Sequence, residues 1–197
     1  MSAVHSTMRA LGSPAPDFTL PNLNSLMPGK ADASVGLSVL TAKPLLVMFI
    51  CNHCPYVIYI AERMTELAND AVEKGFGVVA ISANDALNYP QDGPVAMAEF
   101  AHQYGFNFPY LYDESQQVAK TYAAACTPDF FVFDANHALQ YRGQMDAARP
   151  GNSVEVTGDQ LAAAINAVYS GNATNQQQVP SIGCNIKWKA GNQPEYF

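Results

Sequence analysis

The stretch "PLLVMFICNHCPYVIYIAERM", Pro44 to Met64, decides how the rest of the chain is read. Its opening residues, Pro44 to Ile50, form a continuous apolar run of strand length, the pattern of a strand buried on both faces. The period then changes. Val57, Ile60, Met64, Leu67 and Ala71 recur at spacings of three and four until Gly75, which describes one buried helical stripe closed by a glycine. Pro55 falls in the first turn, where its missing N–H is harmless. Between strand and helix stand two cysteines, Cys51 and Cys54, separated by Asn52 and His53.

The same alternation continues outward. "GVVAIS" from Gly77 to Ser82 predicts a second buried strand, and "PVAMAEFAHQYG" from Pro94 to Gly105 a helix that starts with proline and stops with glycine. "PYLYD" reads as a short strand, "ESQQVAKTYAAA" as a helix, and "DFFVFDANHALQYRG" as two strands joined by a turn at Asp134 to His137. "GDQLAAAINAVYSG", Gly158 to Gly171, closes the pattern with a helix whose apolar face is Leu161, Ala164, Ile165 and Val168. Upstream, "APDFTLPNLN" and "ASVGLSVL" read as a hairpin extension between Asp17 and Leu40. Parallel βα units followed by an antiparallel hairpin and a last helix predict an α/β fold with a mixed central sheet flanked by helices. The polar segment "SGNATNQQQVPS", Ser170 to Ser181, reads as a linker. The expected organisation is therefore a domain over 1–171, with its N-terminal hairpin at about 14–42, and a tail over 172–197 that packs on it.

Composition narrows the function. With 17 acidic against 10 basic side chains and a formal net charge of -7, the chain lacks the basic footprint of a nucleic-acid binder. No run approaches the ~20 apolar residues of a membrane span or the pattern of a secretory signal, so a cytoplasmic protein without membrane partners is expected. In that compartment four cysteines are kept mostly reduced, which favours reactive or metal-binding roles over a static disulfide framework.

Sites in such sheets collect at the carboxyl ends of the parallel strands, and Cys51 follows one such end directly. The loop "SANDALNYP" follows the neighbouring strand, which brings Asn84 and Asp85 forward as polar groups on the same rim. A cysteine at the mouth of a helix faces unpaired N–H groups and the positive end of the dipole, which favour a thiolate. Cysteines in such helix-start pairs ionise at roughly 3.5 to 7.5 instead of about 8.5. Cys51 is expected in that seat, with His53 adding positive charge or a hydrogen bond. The two-residue gap suits disulfide exchange, because the second sulfur must reach the first within one helical turn.

The segments "APDFTLPNLN", "CNHCPY" and "CTPDFFVFD", in this order, resemble the thioredoxin-like superfamily on its peroxiredoxin-like redoxin branch. "ISANDALNYPQDGP" and the tail "PSIGCNIKWKAGNQPEYF" are similar to a CxxC-bearing subgroup of that branch. The resemblance implies a thioredoxin-like fold and a thiol-disulfide oxidoreductase in which Cys51 is the nucleophile and Cys54 resolves the mixed disulfide. It also implies a cis bond between Thr127 and Pro128, in a segment that faces the CxxC pair. Asn52, His53, Pro55, Thr127, Pro128, Asn84 and Asp85 are the supporting residues. The implied partners are protein or small-molecule disulfides and an unidentified electron donor, with no cofactor and no metal. His53 leads to the expectation of a pair more oxidising than thioredoxin.

Two departures stand out. Thioredoxin's buried acid, six residues before the first cysteine, is Leu45 here, which leaves Asp85 or water as proton acceptor. Aligning Cys54 with a peroxidatic cysteine puts Val47 and Cys51 where the peroxiredoxin pattern has proline and threonine, and leaves Arg142 or Arg149 as the partner cation. Peroxide reduction by Cys54 is thus the alternative activity. A zinc-binding or scaffold role with Cys51, Cys54, Cys126 and Cys184 as ligands is the non-enzymatic one. Cys126 reads as a further thiol near the rim or a core residue. Cys184, beside the sole tryptophan Trp188, reads as a tail thiol brought toward the redox site or as part of a packing clamp.

Overall fold

The computed structural model describes residues 3–25 and 33–196. Its strands and helices in chain order are β1 (Ala3–His5), β2 (Thr19–Pro21), β3 (Ser34–Gly36), β4 (Leu45–Phe49), α1 (Pro55–Glu73), β5 (Gly77–Ser82), α2 (Pro94–Tyr104), β6 (Tyr110–Tyr112), α3 (Gln117–Thr121), β7 (Cys126–Thr127), β8 (Asp129–Phe133), β9 (Leu139–Gly143), α4 (Asp159–Tyr169) and β10 (Ile182–Asn185). The central sheet runs β6-β5-β4-β8-β9, with β4, β5 and β6 parallel and β8 and β9 antiparallel to their neighbours.

The apolar run at β4 is explained by two-sided burial. Leu46 and Met48, with Ile50 beyond the strand, pack into the cluster built on α1, α2 and α4. Leu45, Val47 and Phe49 point to the other face, into a cluster with Tyr122, Phe131 and Phe133 that Ile186 and Trp188 of the tail complete. A period of two thus serves two cores, and neither face of the strand sees water. The α4 residues buried are Leu161, Ala164, Ile165 and Val168, the face expected from their spacing.

Two parts differ from the sequence reading. The helix expected over Glu114 to Ala125 shrinks to Gln117–Thr121, because the chain enters it through left-handed Gln116 and leaves it through left-handed Ala123. Gln116 turns inward, and its Nε2 donates to the carbonyls of Ala83 and Lys187 at 2.7 and 3.0 Å. In the hairpin extension β2 pairs with β3, but Leu37–Leu40 forms a 3-10 helix instead of continuing the strand, and residues 26–32 of its loop lie outside the described residues.

A second sheet, β1-β10-β7, is absent from the sequence reading. Its strands have two to four residues, too few for a period to declare itself. It joins the chain's two ends at the edge of the domain. Among the described residues, no helix is long and apolar enough to cross a membrane.

Candidate functional site

Three backbone segments meet at the carboxyl rim of β4 and β5. The loop after β4 carries Cys51 and the start of α1 carries Cys54. The third segment is Thr127 and Pro128, joined by a cis bond where the chain passes from β7 into β8. Thr127 touches both sulfurs: its hydroxyl lies 3.3 Å from Cys51 Sγ, and its carbonyl oxygen lies 3.2 Å from Cys54 Sγ. Cys51 is 1% exposed and Cys54 0%.

The loop is fixed by an acid that sequence reasoning missed. Asp92, fully buried, accepts the backbone N–H groups of Asn52 at 2.8 Å and His53 at 3.3 Å. Its other oxygen meets His53 Nδ1 at 2.5 Å and Asn84 Nδ2 at 2.8 Å. Tyr89 stacks on the His53 ring, the centroids 5.8 Å apart, and Lys187 Nζ lies over Tyr89. Asn52 is held further by Gln91 O and by the Tyr110 hydroxyl, which donates to its Oδ1 at 2.9 Å.

The expected electrostatics are corrected at this point. The helix begins at Pro55 with Cys54 as its N-cap, so the seat at the positive end of α1 belongs to Cys54 and not to Cys51. The thiols of Cys184 and Cys51 hydrogen-bond to the Cys54 sulfur, and with the Cys184 backbone N–H and the Thr127 hydroxyl they outweigh its burial, lowering its pKa to about 2. Cys51 is pushed the other way, by its contact with Cys54, by burial and by the negative charge of Asp92. His53 is engaged by Asp92, whose carboxylate offsets any charge the ring could lend to Cys51.

Other expected residues fall into place unevenly. Asn84 sits in the site and links two parts of it, since its Oδ1 accepts the Lys187 N–H at 2.8 Å while its amide holds Asp92. The Asp85 carboxylate instead caps its own loop, accepting from the Leu87 N–H and Asn88 Nδ2. Arg142 is committed to Arg9 O and Gln178. Arg149 binds Asp146 O and Ala148 O and lines a small cleft with Tyr56, Pro128 and Ser181. Cys126 is buried with its thiol toward Pro128 O, and burial raises its pKa. Asp129, which follows Pro128, is fully buried, and burial pushes its carboxyl well above the usual carboxylate range. Its apolar flanks, Pro128 and Phe130, gave no hint of an acid's role.

Among the described residues, the metal-ligand atoms that converge are those of Cys51, His53 and Asp92, within 4.8 Å of one another. The four cysteines expected for zinc do not form such a group. Cys184, in contrast, is brought to the pair by β10, whose register sets it opposite Thr127.

Known proteins bear out the architecture. A protein from Geobacillus kaustophilus described as uncharacterized superposes with a TM-score of 0.90 at 47% identity, covering 96% of this chain and 97% of that one. A hypothetical protein from Sinorhizobium meliloti 1021 gives 0.89 at 45%, covering 95% and 99%. A secreted disulfide oxidoreductase of Mycobacterium tuberculosis, at 20% identity and a TM-score of 0.57 over 76% of this chain and 95% of its own, shares the fold, which is that of thioredoxin. The thiol-disulfide oxidoreductase ResA of Bacillus thuringiensis (strain Al Hakam) is 27% identical over 124 residues, 63% of this chain and 64% of that relative. The profile of the AhpC/TSA family covers residues 11–142, from before the hairpin extension to the end of the central sheet and through both rim cysteines, and on that match the chain belongs to the AhpC/TSA family.

Proposed function

We propose that the chain is a thiol-disulfide oxidoreductase that works through a dithiol/disulfide pair formed by Cys51 and Cys54. The observation that carries this reading is the cluster itself: two sulfurs at the rim, both against Thr127, with one negative charge stabilised on Cys54. The name of the ResA relative supports it.

Lowered so far, the Cys54 thiolate is too weak a base to deprotonate Cys51, so water takes the Cys51 proton as Cys51 attacks a partner disulfide. The Cys51 sulfur bonds to one partner sulfur while the other leaves with the electron pair and takes a proton from water. The Cys54 thiolate then attacks Cys51 and expels the second partner sulfur with its electron pair, leaving a Cys51–Cys54 disulfide. An external dithiol returns the enzyme to its reduced form. Partners are protein or small-molecule disulfides.

The test is disulfide reduction, with insulin as substrate and a dithiol as reductant. Cys51→Ser and Cys54→Ser should each fall to the uncatalysed rate. Full activity in both variants would overturn the proposal.

A second reading, peroxide reduction, is favoured by one observation: the sulfur at the helix N-terminus is the ionised one, as a peroxidatic cysteine requires. Here Cys54 would attack peroxide to give a sulfenic acid, which Cys51 would condense to the same disulfide with loss of water. Peroxide consumption abolished in Cys54→Ser, together with insulin reduction no faster than background in the wild type, would select this reading over the first.

A further inference from the structure

Cys184 reaches the pair through backbone pairing. β10 runs antiparallel to β7 with Cys184 opposite Thr127 and Asn185 opposite Cys126, and β1 pairs on its other side. Thr127 is the residue whose carbonyl and hydroxyl touch the two rim sulfurs. The strands approach so closely that a Cβ on Gly183 would lie 2.0 Å from Thr127 O. The tail is also tied to the CxxC loop from the other side: Asp92 holds the loop, Asn84 holds Asp92, and Lys187 donates to Asn84. In this frame Cys51, Cys54 and Cys184 lie in one buried cluster, and Cys51 and Cys184 both act on the charge of Cys54. Cys126, next to Thr127, turns toward Pro128 O instead.

We propose that Cys184 is a third redox-active thiol and the alternative disulfide partner of Cys54. This rests on the reading of Cys51 and Cys54 as an exchanging pair and extends it to the tail. Starting from the Cys51–Cys54 disulfide, the Cys184 sulfur gives up its proton and attacks Cys54 Sγ. The Cys54–Cys184 bond forms as the Cys51–Cys54 bond breaks, and the Cys51 sulfur takes the electron pair and the proton. No electrons are gained or lost overall. The product has a free Cys51 thiol and a tail strand stapled across β7, whereas in the Cys51–Cys54 disulfide β10 is held by noncovalent contacts alone. The site can thereby store the oxidised state in a form that closes the edge where β10 lies.

The test uses the full chain, equilibrated with mixtures of reduced and oxidised glutathione, acid-quenched, blocked with N-ethylmaleimide and cut with trypsin. The cuts leave Cys51 and Cys54 on one peptide and put Cys126 and Cys184 on separate ones. The wild type should yield both Cys51–Cys54 and Cys54–Cys184 linkages, Cys51→Ser only the second, and Cys184→Ser only the first. Full alkylation of Cys184 in Cys51→Ser, with a normal Cys51–Cys54 linkage in the wild type, overturns the tail proposal and leaves the pair intact. A Cys54–Cys126 linkage in Cys51→Ser overturns it likewise. A wild type in which neither Cys51 nor Cys54 enters any disulfide overturns both readings.

Discussion

Cys54 draws its negative charge from several donors at once. Each is weak alone, but together with the end of a 19-residue helix they move the charge off Cys51, the sulfur nearer the strand. In the reduced protein a single thiolate should absorb in the ultraviolet from neutral pH well into the acid range, and Cys54→Ser should remove it. Absorbance that appears only above neutrality would contradict the assignment. The sign for stability follows: a pKa lowered on folding contributes stability present above the ordinary thiol value of about 8.5 and lost as pH falls from there toward about 2. For Cys51, raised on folding, the contribution is present below about 8.5 and lost as pH rises above it. Asp92 is the other decisive residue. Asp92→Ala leaves two backbone N–H groups, an imidazole and an amide without their acceptor, so a loss of about 3 kcal/mol is expected in denaturant unfolding. A loss under about 1 kcal/mol would show that the loop is held by something else. The cysteines were legible because spacing and a flanking strand and helix mark them. Asp92 was not, since its partners in the CxxC loop, His53 and Asn52, lie 39 and 40 positions away and nothing local identifies an acid as their acceptor.

Among the elements, legibility followed length. β4, α1, β5, α2 and α4 carry enough apolar residues for a period, and the structure returns them close to where that period places them. The β1-β10-β7 sheet was invisible because hydrogen bonding between remote short segments makes it, not pattern. The seat of Cys54 was legible but misassigned: Pro55 was read in the first turn, and a proline at the first helical position makes residue 54 the N-cap, whereas the helix mouth was given to Cys51. The rim sulfurs are buried and β10 is paired along β7 beside Thr127, so this small sheet is expected to limit access to them. Gly183→Ala should loosen it, because the new methyl group meets the Thr127 carbonyl carbon and oxygen at 2.7 and 2.0 Å, where backbone cannot yield cheaply. Alkylation of Cys54 should quicken by about tenfold if opening becomes easier by about 1.4 kcal/mol. An unchanged rate would mean that reagents reach the pair by a route that leaves β10 in place.

For the molecule as a whole, the tail is part of the core. Ile186 and Trp188 are buried in the cluster that also holds Phe49 and Phe131, and β10 binds the N-terminal strand β1. Trp188 is the sole tryptophan, so its fluorescence reports tail docking without interference. Fluorescence and far-ultraviolet circular dichroism should therefore trace one coincident transition in denaturant, whereas an earlier fluorescence change would show a tail that detaches first. A tail packing on the domain was expected from the apolar residues around Trp188, but that it would bring a third sulfur to the pair was left open beside a plain packing role. The most direct test of the whole account is the redox equilibrium of Cys51 and Cys54 against glutathione, read by mass spectrometry. Stabilising a thiolate favours the reduced protein, so the account predicts a Cys51–Cys54 disulfide with a potential less negative than the roughly -270 mV of thioredoxin. A pair at or below that potential, or one that never closes, would contradict it.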